Sequence, residues 1–321
     1  MAEEIRVALR DWDWLTPWAN GEIGASELAA LGYSLRIDPL NTVVDLPHSD
    51  TYVGAEASLS KYVQAVANGN DAMVALPHLL MQGFRHRCII VATDSNIESP
   101  SQLVGGKIGI TGWPDSGNVW TRAALADAGL NITSARWCAG RLTADHPETD
   151  RLGEHGVPGR IEAITGKPMI DRLSDGELDA VLTPFMPPGF YTKSSRFRPL
   201  YRDVRVAEQK WAAARGFVPG HHILAFKKFV PAEAQLAVSR ILNESKRQWT
   251  QKRHKYAETT AWTAVDFWDE AQTLPEGWDR PGLASQRNML AEFVRESVIQ
   301  GLLDAVVPID TLFPLDIPNA A

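Results

Sequence analysis

The chain has 321 residues, 45% hydrophobic and 22% charged, with 39 acidic against 32 basic side chains and a formal net charge of −7. That length exceeds one ordinary core and fits two units of roughly 100–200 residues each. No stretch strings basic residues together on the scale a phosphate backbone requires, which sets nucleic acid aside as a partner. No window approaches the roughly 18 uninterrupted apolar residues of a spanning helix, which sets a membrane aside as well. Cys88 and Cys138 sit in apolar, strand-like stretches outside any CxxC or metal-ligand pattern and read as thiols. The N-terminal Met-Ala-Glu-Glu-Ile-Arg has neither a basic n-region nor an apolar h-region, so a cytoplasmic protein is expected; a chain trimmed of its leader would read the same.

Strand-like runs alternate with helical patterns through the first two hundred residues, the signature of an α/β protein. IRVALRDW (5–12) and SLRID (34–38) read as strands. Over 58–68, Leu59, Tyr62, Val63 and Val66 share a helical face, with Ser58 as N-cap and Gly69 as stop. MVALP (73–77) and CIIVA (88–92) are buried-strand runs. Strand KIGIT and helix WTRAALADAGL (120–130) follow, then a loop-rich stretch from 140 to 158, helix MIDRLSDGEL (169–178) and strand DAVLTPF (179–185). Pro184, Pro187, Pro188 and Gly189 break regular structure and suit a crossing between lobes. Strand HHILAFKK (221–228) leads into a long helix, 231–254, and a further helix is expected near 285–304, with Leu290, Phe293, Val294, Val298 and Leu302 on one face. This order predicts one lobe from both ends of the chain (1–93 plus 201–321) and a second lobe inserted at 94–200, with a ligand cleft between them.

Several polar groups fall where such folds bind ligands. Arg85 offers a rigid fork for a carboxylate and His86 can move a proton near neutral pH; the plainer reading is an Arg paired to a nearby Asp and a packed His. Glu56, Ser58, Ser60 and Tyr62 mark a helix start after a turn, where free N–H groups attract anions, although Ser58 is also an ordinary cap. Gly112 to Asn118 joins a strand to a helix in the second lobe; Ser116 and Asn118 can donate, and Trp113 can wall an aromatic ring or lie on the surface. Asp11 follows the first strand, at the end where open α/β sheets place ligands, or is a solvated turn. Of His221 and His222, adjacent on a strand, at most one faces the cleft. No G-x-S-x-G elbow, Walker loop or G-x-G-x-x-G follows a strand.

SPSQLVGGKIGI resembles the helix, Leu-x-Gly-Lys, strand step at the hinge of type II periplasmic-binding-protein-like folds. Together with EASLSKY (56–62), GFRHRCIIV (83–91), GWPDSGNVWTRAAL (112–125), LSDGELDAVLTPFMPPGF (173–190) and GFVPGHH (216–222), it makes residues 5–260 resemble the 4,5-dihydroxyphthalate decarboxylases. The resemblance implies a two-lobed fold, each lobe a mixed sheet flanked by helices, with an extra helical C-terminal segment. It also implies decarboxylation of a hydroxylated aromatic carboxylate. His86, His222 (matched by the motif) and Asp11 would share the proton chemistry, while Arg85, Ser58, Ser60, Tyr62, Trp113, Ser116 and Asn118 would hold the substrate. No cofactor is implied. A divalent metal on Glu56, His86 and His222 is an alternative, although no ligand-spacing motif supports it. A small aromatic carboxylate is the expected partner, and a homodimer is open. The arginine the family carries before its Pro-Pro pair is missing from Thr183-Pro184-Phe185-Met186-Pro187-Pro188, which leaves the exact substrate open. A transporter-type solute-binding protein for a small carboxylate is the alternative from another class, and enzymes of the alternative menaquinone pathway share the scaffold.

Overall fold

A computed structural model of the chain describes residues 2–318. Its strands, in chain order, are β1 (Glu3–Arg10), β2 (Tyr33–Leu40), β3 (Gly54–Ser58), β4 (Met73–Gln82), β5 (Ile89–Ala92) and β6 (Lys107–Ile110). β7 (Arg136–Ala139), β8 (Ile161–Ala163), β9 (Ala180–Leu182), β10 (Phe197–Pro199) and β11 (Gly220–Lys227) follow. The chain divides into two compact units, the first built from residues up to 82, 216–291 and 307 onward, the second from 83–215 and 292–306. The expected boundaries at 94 and 200 thus lie inside the second unit's main segment. That unit also takes in the Phe84-Arg85-His86 segment and the helix Val204–Arg215, because Phe84 and His86 pack on Trp211 of that helix.

In the first unit the sheet order is β2-β1-β3-β11-β4, with β1 parallel to β2 and β3 and β11 antiparallel to β3 and β4. Its core gathers Val7 and Leu9 of β1, Leu224 and Phe226 of β11, and Val238 and Leu242 of the helix Ala232–Ala257. The strand expected to stop at Pro77 continues to Gln82. β4 lies at the sheet edge, where a proline lacking its N–H breaks no interior ladder.

Glu56, expected at a helix start, lies instead in β3, whose GAEAS sequence carries little strand propensity. Small residues are needed there because a Cβ on Gly54 would come within 2.7 Å of the Phe226 ring. β3 then passes directly into the helix Leu59–Ala67. Ser58 caps it, its hydroxyl accepting from Lys61 N–H, and Gly69 (φ 74°) ends it.

In the second unit the order is β10-β5-β9-β6-β7-β8, with parallel pairs β6/β9, β6/β7 and β7/β8 and antiparallel pairs at β5. The helix expected over 120–130 begins four residues earlier and spans Ser116–Asp127. The C-terminal helix spans Leu283–Ile299. Beyond it, Ile317 enters the first unit's core and Asp316 Oδ1 accepts from Leu283 N–H (2.8 Å), while within the second unit Phe293 tilts against Trp120. Cys88 and Cys138 form no disulfide, and among the described residues no helix is long and apolar enough to cross a membrane.

Candidate active site

In the first unit, β1 and β3 run parallel, so Arg10 and Trp12 arrive at the same end of the sheet as Ser58 and the N-terminus of helix Leu59–Ala67. β11 pairs with β3 so that His222 lies opposite Ser58 and Leu224 opposite Glu56. Side chains alternate along a strand, so Glu56, Ser58 and His222 share a face, with Glu56 the diagonal neighbour of His222. The β11–β4 register shifts on both sides of His222, an irregularity of the kind that re-aims a side chain.

Glu56 is 1% exposed, and both of its oxygens are engaged. Oε2 accepts from Arg10 N–H (3.0 Å) and Trp12 Nε1–H (2.8 Å), and Oε1 lies 2.5 Å from His222 Nδ1. The Arg10 guanidinium covers the Trp12 ring at 4.8 Å. With two N–H donors on Oε2 the carboxylate is an acceptor, so His222 takes the tautomer that donates from Nδ1. Its other nitrogen, Nε2, has no hydrogen-bond partner among the described residues, and the His222 side chain remains 18% exposed. A histidine oriented by a buried carboxylate is a competent proton donor and acceptor. His221, facing the other way, is 1% exposed.

In the second unit, Phe84-Arg85-His86 runs into a single tight turn, closed by Cys88 N–H donating to Arg85 O (2.9 Å). The His86 ring, 4% exposed, lies 5.4 Å from Tyr201 and 6.1 Å from Trp211. Burial lowers its pKa to about 4, so the imidazole is neutral at pH 7. Arg85 is laid over the first turn of helix Ser116–Asp127: a Cβ on Gly117 would meet its Nε at 3.2 Å. A guanidinium beside the positive end of a helix favours an anionic group. Ser116 is buried in that same first turn. Asn118 closes the strand–helix turn, donating to Gly112 O (2.7 Å) and Thr111 Oγ1 (3.3 Å).

Other expected residues are placed differently. Tyr62 is 2% exposed; its hydroxyl donates to Leu312 O and accepts from Ala75 N–H, so it ties the helix to the core and offers no group to a ligand. Ser60 is buried and accepts from Gln64 Nε2 (3.0 Å). Asp11 is exposed, and it is Trp12 that reaches Glu56. Trp113 cannot wall an aromatic ligand: it is 1% exposed, edge-on to Trp137, with Arg122 stacked 4.0 Å above its ring. It borders a hollow of about 500 Å³ in the second unit that no other expected site residue lines. Among the described residues no three His, Cys, Asp or Glu side chains converge as a metal-ligand set.

Tyr201, Glu208 and Trp211 were not foreseen. Burial pushes the Tyr201 phenol up to about 12 and the Glu208 carboxyl up to about 7. The sequence signal for Glu208 and Trp211 is that Val204, Glu208, Trp211 and Arg215 recur at helical spacing; Tyr201 lies outside that helix.

The buried imidazoles carry a pH signature. His86, and in the first unit His78, whose pKa burial lowers to about 3, bind fewer protons folded than unfolded below about pH 6.5. Stability is therefore full above that pH and is lost as pH falls toward 4, with about 3 kcal/mol attributable to His86. Glu208 opposes this, since its raised pKa makes stability fall as pH rises from about 4.5 to 7. The expected result is a melting temperature that rises from pH 5 to 7, with a shallower slope in His86→Gln and a steeper one in Glu208→Gln. Unchanged slopes in both variants would contradict these shifts.

None of the protein-family profiles matches the chain. The periplasmic aliphatic sulphonate binding protein of Escherichia coli superposes with a TM-score of 0.53 at 12% identity, covering 100% of this chain and 95% of its own. A Candida albicans protein described as having the generic periplasmic binding protein fold superposes at 0.50, with 12% identity over 96% of this chain and 93% of that one. These likenesses establish the fold, two α/β units with mixed sheets. A 4,5-dihydroxyphthalate decarboxylase of Comamonas testosteroni is 26% identical over 229 residues, 70% of this chain and 68% of that protein. The protein of the same name from Pseudomonas putida is 33% identical over 227 residues, 66% of this chain and 83% of that protein. On that extent of shared sequence, carried by a periplasmic-binding-protein fold, the chain belongs to the 4,5-dihydroxyphthalate decarboxylase family.

Proposed function

We propose that the protein releases CO2 from a hydroxylated aromatic carboxylate such as 4,5-dihydroxyphthalate, with His222 as the proton donor. The observation that carries this reading is the buried Glu56 carboxylate holding Nδ1 of a histidine that stays 18% exposed and whose other nitrogen has no hydrogen-bond partner among the described residues. The reaction breaks the bond between the ring and its carboxylate, leaves the electron pair on the ring carbon, and returns a proton to that carbon. No electron acceptor enters the balance, and no cofactor is assigned. A phenolate oxygen para to the carboxylate pushes electrons toward the carbon and raises its basicity. Nε2 of His222 takes up a proton from solvent, Glu56 stabilises the resulting imidazolium through Nδ1–H, and Nε2 then delivers that proton to the ring carbon as CO2 leaves. Ser58, opposite His222 across the ladder, is assigned the holding of a phenolic oxygen. His86, neutral at pH 7, is assigned a positioning role, and Arg85 the holding of a carboxylate.

The test is CO2 release and product chromatography with 4,5-dihydroxyphthalate, with and without chelator. The expected result is one CO2 per 3,4-dihydroxybenzoate formed, unaffected by chelator. Turnover abolished by chelator would replace this reading with a metal-assisted one. No turnover, together with a raised melting temperature in the presence of the compound, would replace it with carboxylate binding alone.

A further inference from the structure

The Phe84–Cys88 turn carries Arg85 and His86, and its backbone is closed by Cys88 N–H donating to Arg85 O and by Ile89 N–H donating to His86 O. Thr183 N–H donates to Cys88 O (2.9 Å) at its end, and its side chains are supported by the helix Val204–Arg215, one turn of which presents Glu208 and Trp211. Trp211 meets the rings of Phe84 (6.2 Å) and His86 (6.1 Å) edge-on, and is itself fixed by Nε1–H donating to Asp127 Oδ2 (2.9 Å). Glu208 accepts from Arg87 N–H, at the centre of the turn, and its charge interacts with Arg85, Arg87 and Arg205. Its Oε1 is buried with no hydrogen-bond partner among the described residues. A carboxyl kept in so dry a place, at the expense of an unmet acceptor, is hard to explain as surface solvation. The hydrogen bond it accepts comes from the backbone that aims Arg85 and His86.

We infer that Glu208 is a positioning residue that sets the Arg85–His86 turn for binding the substrate carboxylate. This rests on the assignment of Arg85 to that carboxylate. Glu208→Ala frees Arg87 N–H and lets the turn move. Glu208→Gln keeps an acceptor of the same length and should rescue it, which separates the hydrogen bond from the charge. Lost binding energy at Arg85 then appears in KM, while the proton transfer assigned to His222 is left alone.

Three measurements on the full chain test it: kcat and KM for 4,5-dihydroxyphthalate, calorimetric affinity for the same compound, and hydrogen exchange of the 84–88 backbone without ligand. The expected result for Glu208→Ala is a KM and Kd raised about tenfold or more, with kcat within threefold and faster exchange at 84–88. Glu208→Gln should return all three to within about threefold of wild type. A lower melting temperature in Glu208→Ala with unchanged KM and unchanged exchange would make Glu208 a stability residue only and overturn the inference. If wild type neither binds nor turns over the compound, the proposed function fails. The exchange measurement still decides whether Glu208 holds the turn, and protection that survives in Glu208→Ala overturns it.

Discussion

His222→Ala is expected to lower kcat by about a hundredfold to ten-thousandfold, the range for removing a general acid, while leaving the fold intact. The side chain is 18% exposed and its removal leaves no large cavity. Glu56→Gln should bring a loss of at least a hundredfold by a different route. The amide presents one oxygen and one NH2 to three donors, Arg10 N–H, Trp12 Nε1–H and His222 Nδ1–H, so at least one donor faces another. His222 is then released from its tautomer or turned from its position. Because Glu56 is 1% exposed and has no surface for a ligand, this loss should fall on kcat with KM within about threefold. The check is steady-state CO2 release beside calorimetric affinity, with circular dichroism to confirm folding. A His222→Ala protein whose kcat stays within tenfold of wild type would remove His222 from the chemistry.

How much of this pair was legible in the sequence follows from the range of the interactions involved. The cap at Ser58, the stop at Gly69 and the alternation that lets only one of His221 and His222 face a ligand are local effects, and all three are present in the structure. Glu56 was legible as a residue but not as half of a dyad. Its partner lies 166 residues away, and the strand that brings them together is written in Gly and Ala, chosen to fit under Phe226 and not for propensity. The same holds in the second unit. Arg85 and His86 were found by residue type, whereas the helix that supports them follows far along the chain and no local pattern ties the two together. Buried aromatic and charged residues misled in the opposite direction. Tyr62 and Trp113 have the chemistry of ligand-binding groups, and only distant partners, Leu312 for one and Gln300 for the other, show them to be core.

The structural role of Trp113 makes Arg122 the side chain with the largest expected effect on stability. Arg122 is 0% exposed; its Nη2 donates to Trp113 O (2.8 Å), its Nε donates to Gln300 Oε1 (2.7 Å), and its guanidinium covers the Trp113 ring. Burial pulls its pKa down to about 9, which still leaves it charged at pH 7, with Asp115 and Glu296 acting to hold the proton. Gln300 in turn donates to Val119 O (3.0 Å) and Glu296 Oε2 (3.1 Å), so one guanidinium organises the carbonyl after the β6 turn and the C-terminal segment together. Arg122→Ala removes the volume and orphans two buried acceptors, Trp113 O and Gln300 Oε1, while Glu296 keeps Arg215 as a nearby cation. The expected destabilisation is about 3–5 kcal/mol, the range for breaking a buried charged network by deleting one member. Arg122→Lys keeps the charge but loses the fork and the flat face over Trp113, and should recover less than half of that. The measurement is urea unfolding followed by tryptophan fluorescence. An Arg122→Ala midpoint equivalent to less than about 1 kcal/mol of destabilisation would mean that the network is replaceable by water, and that Trp113 is more accessible to a ligand than its burial implies.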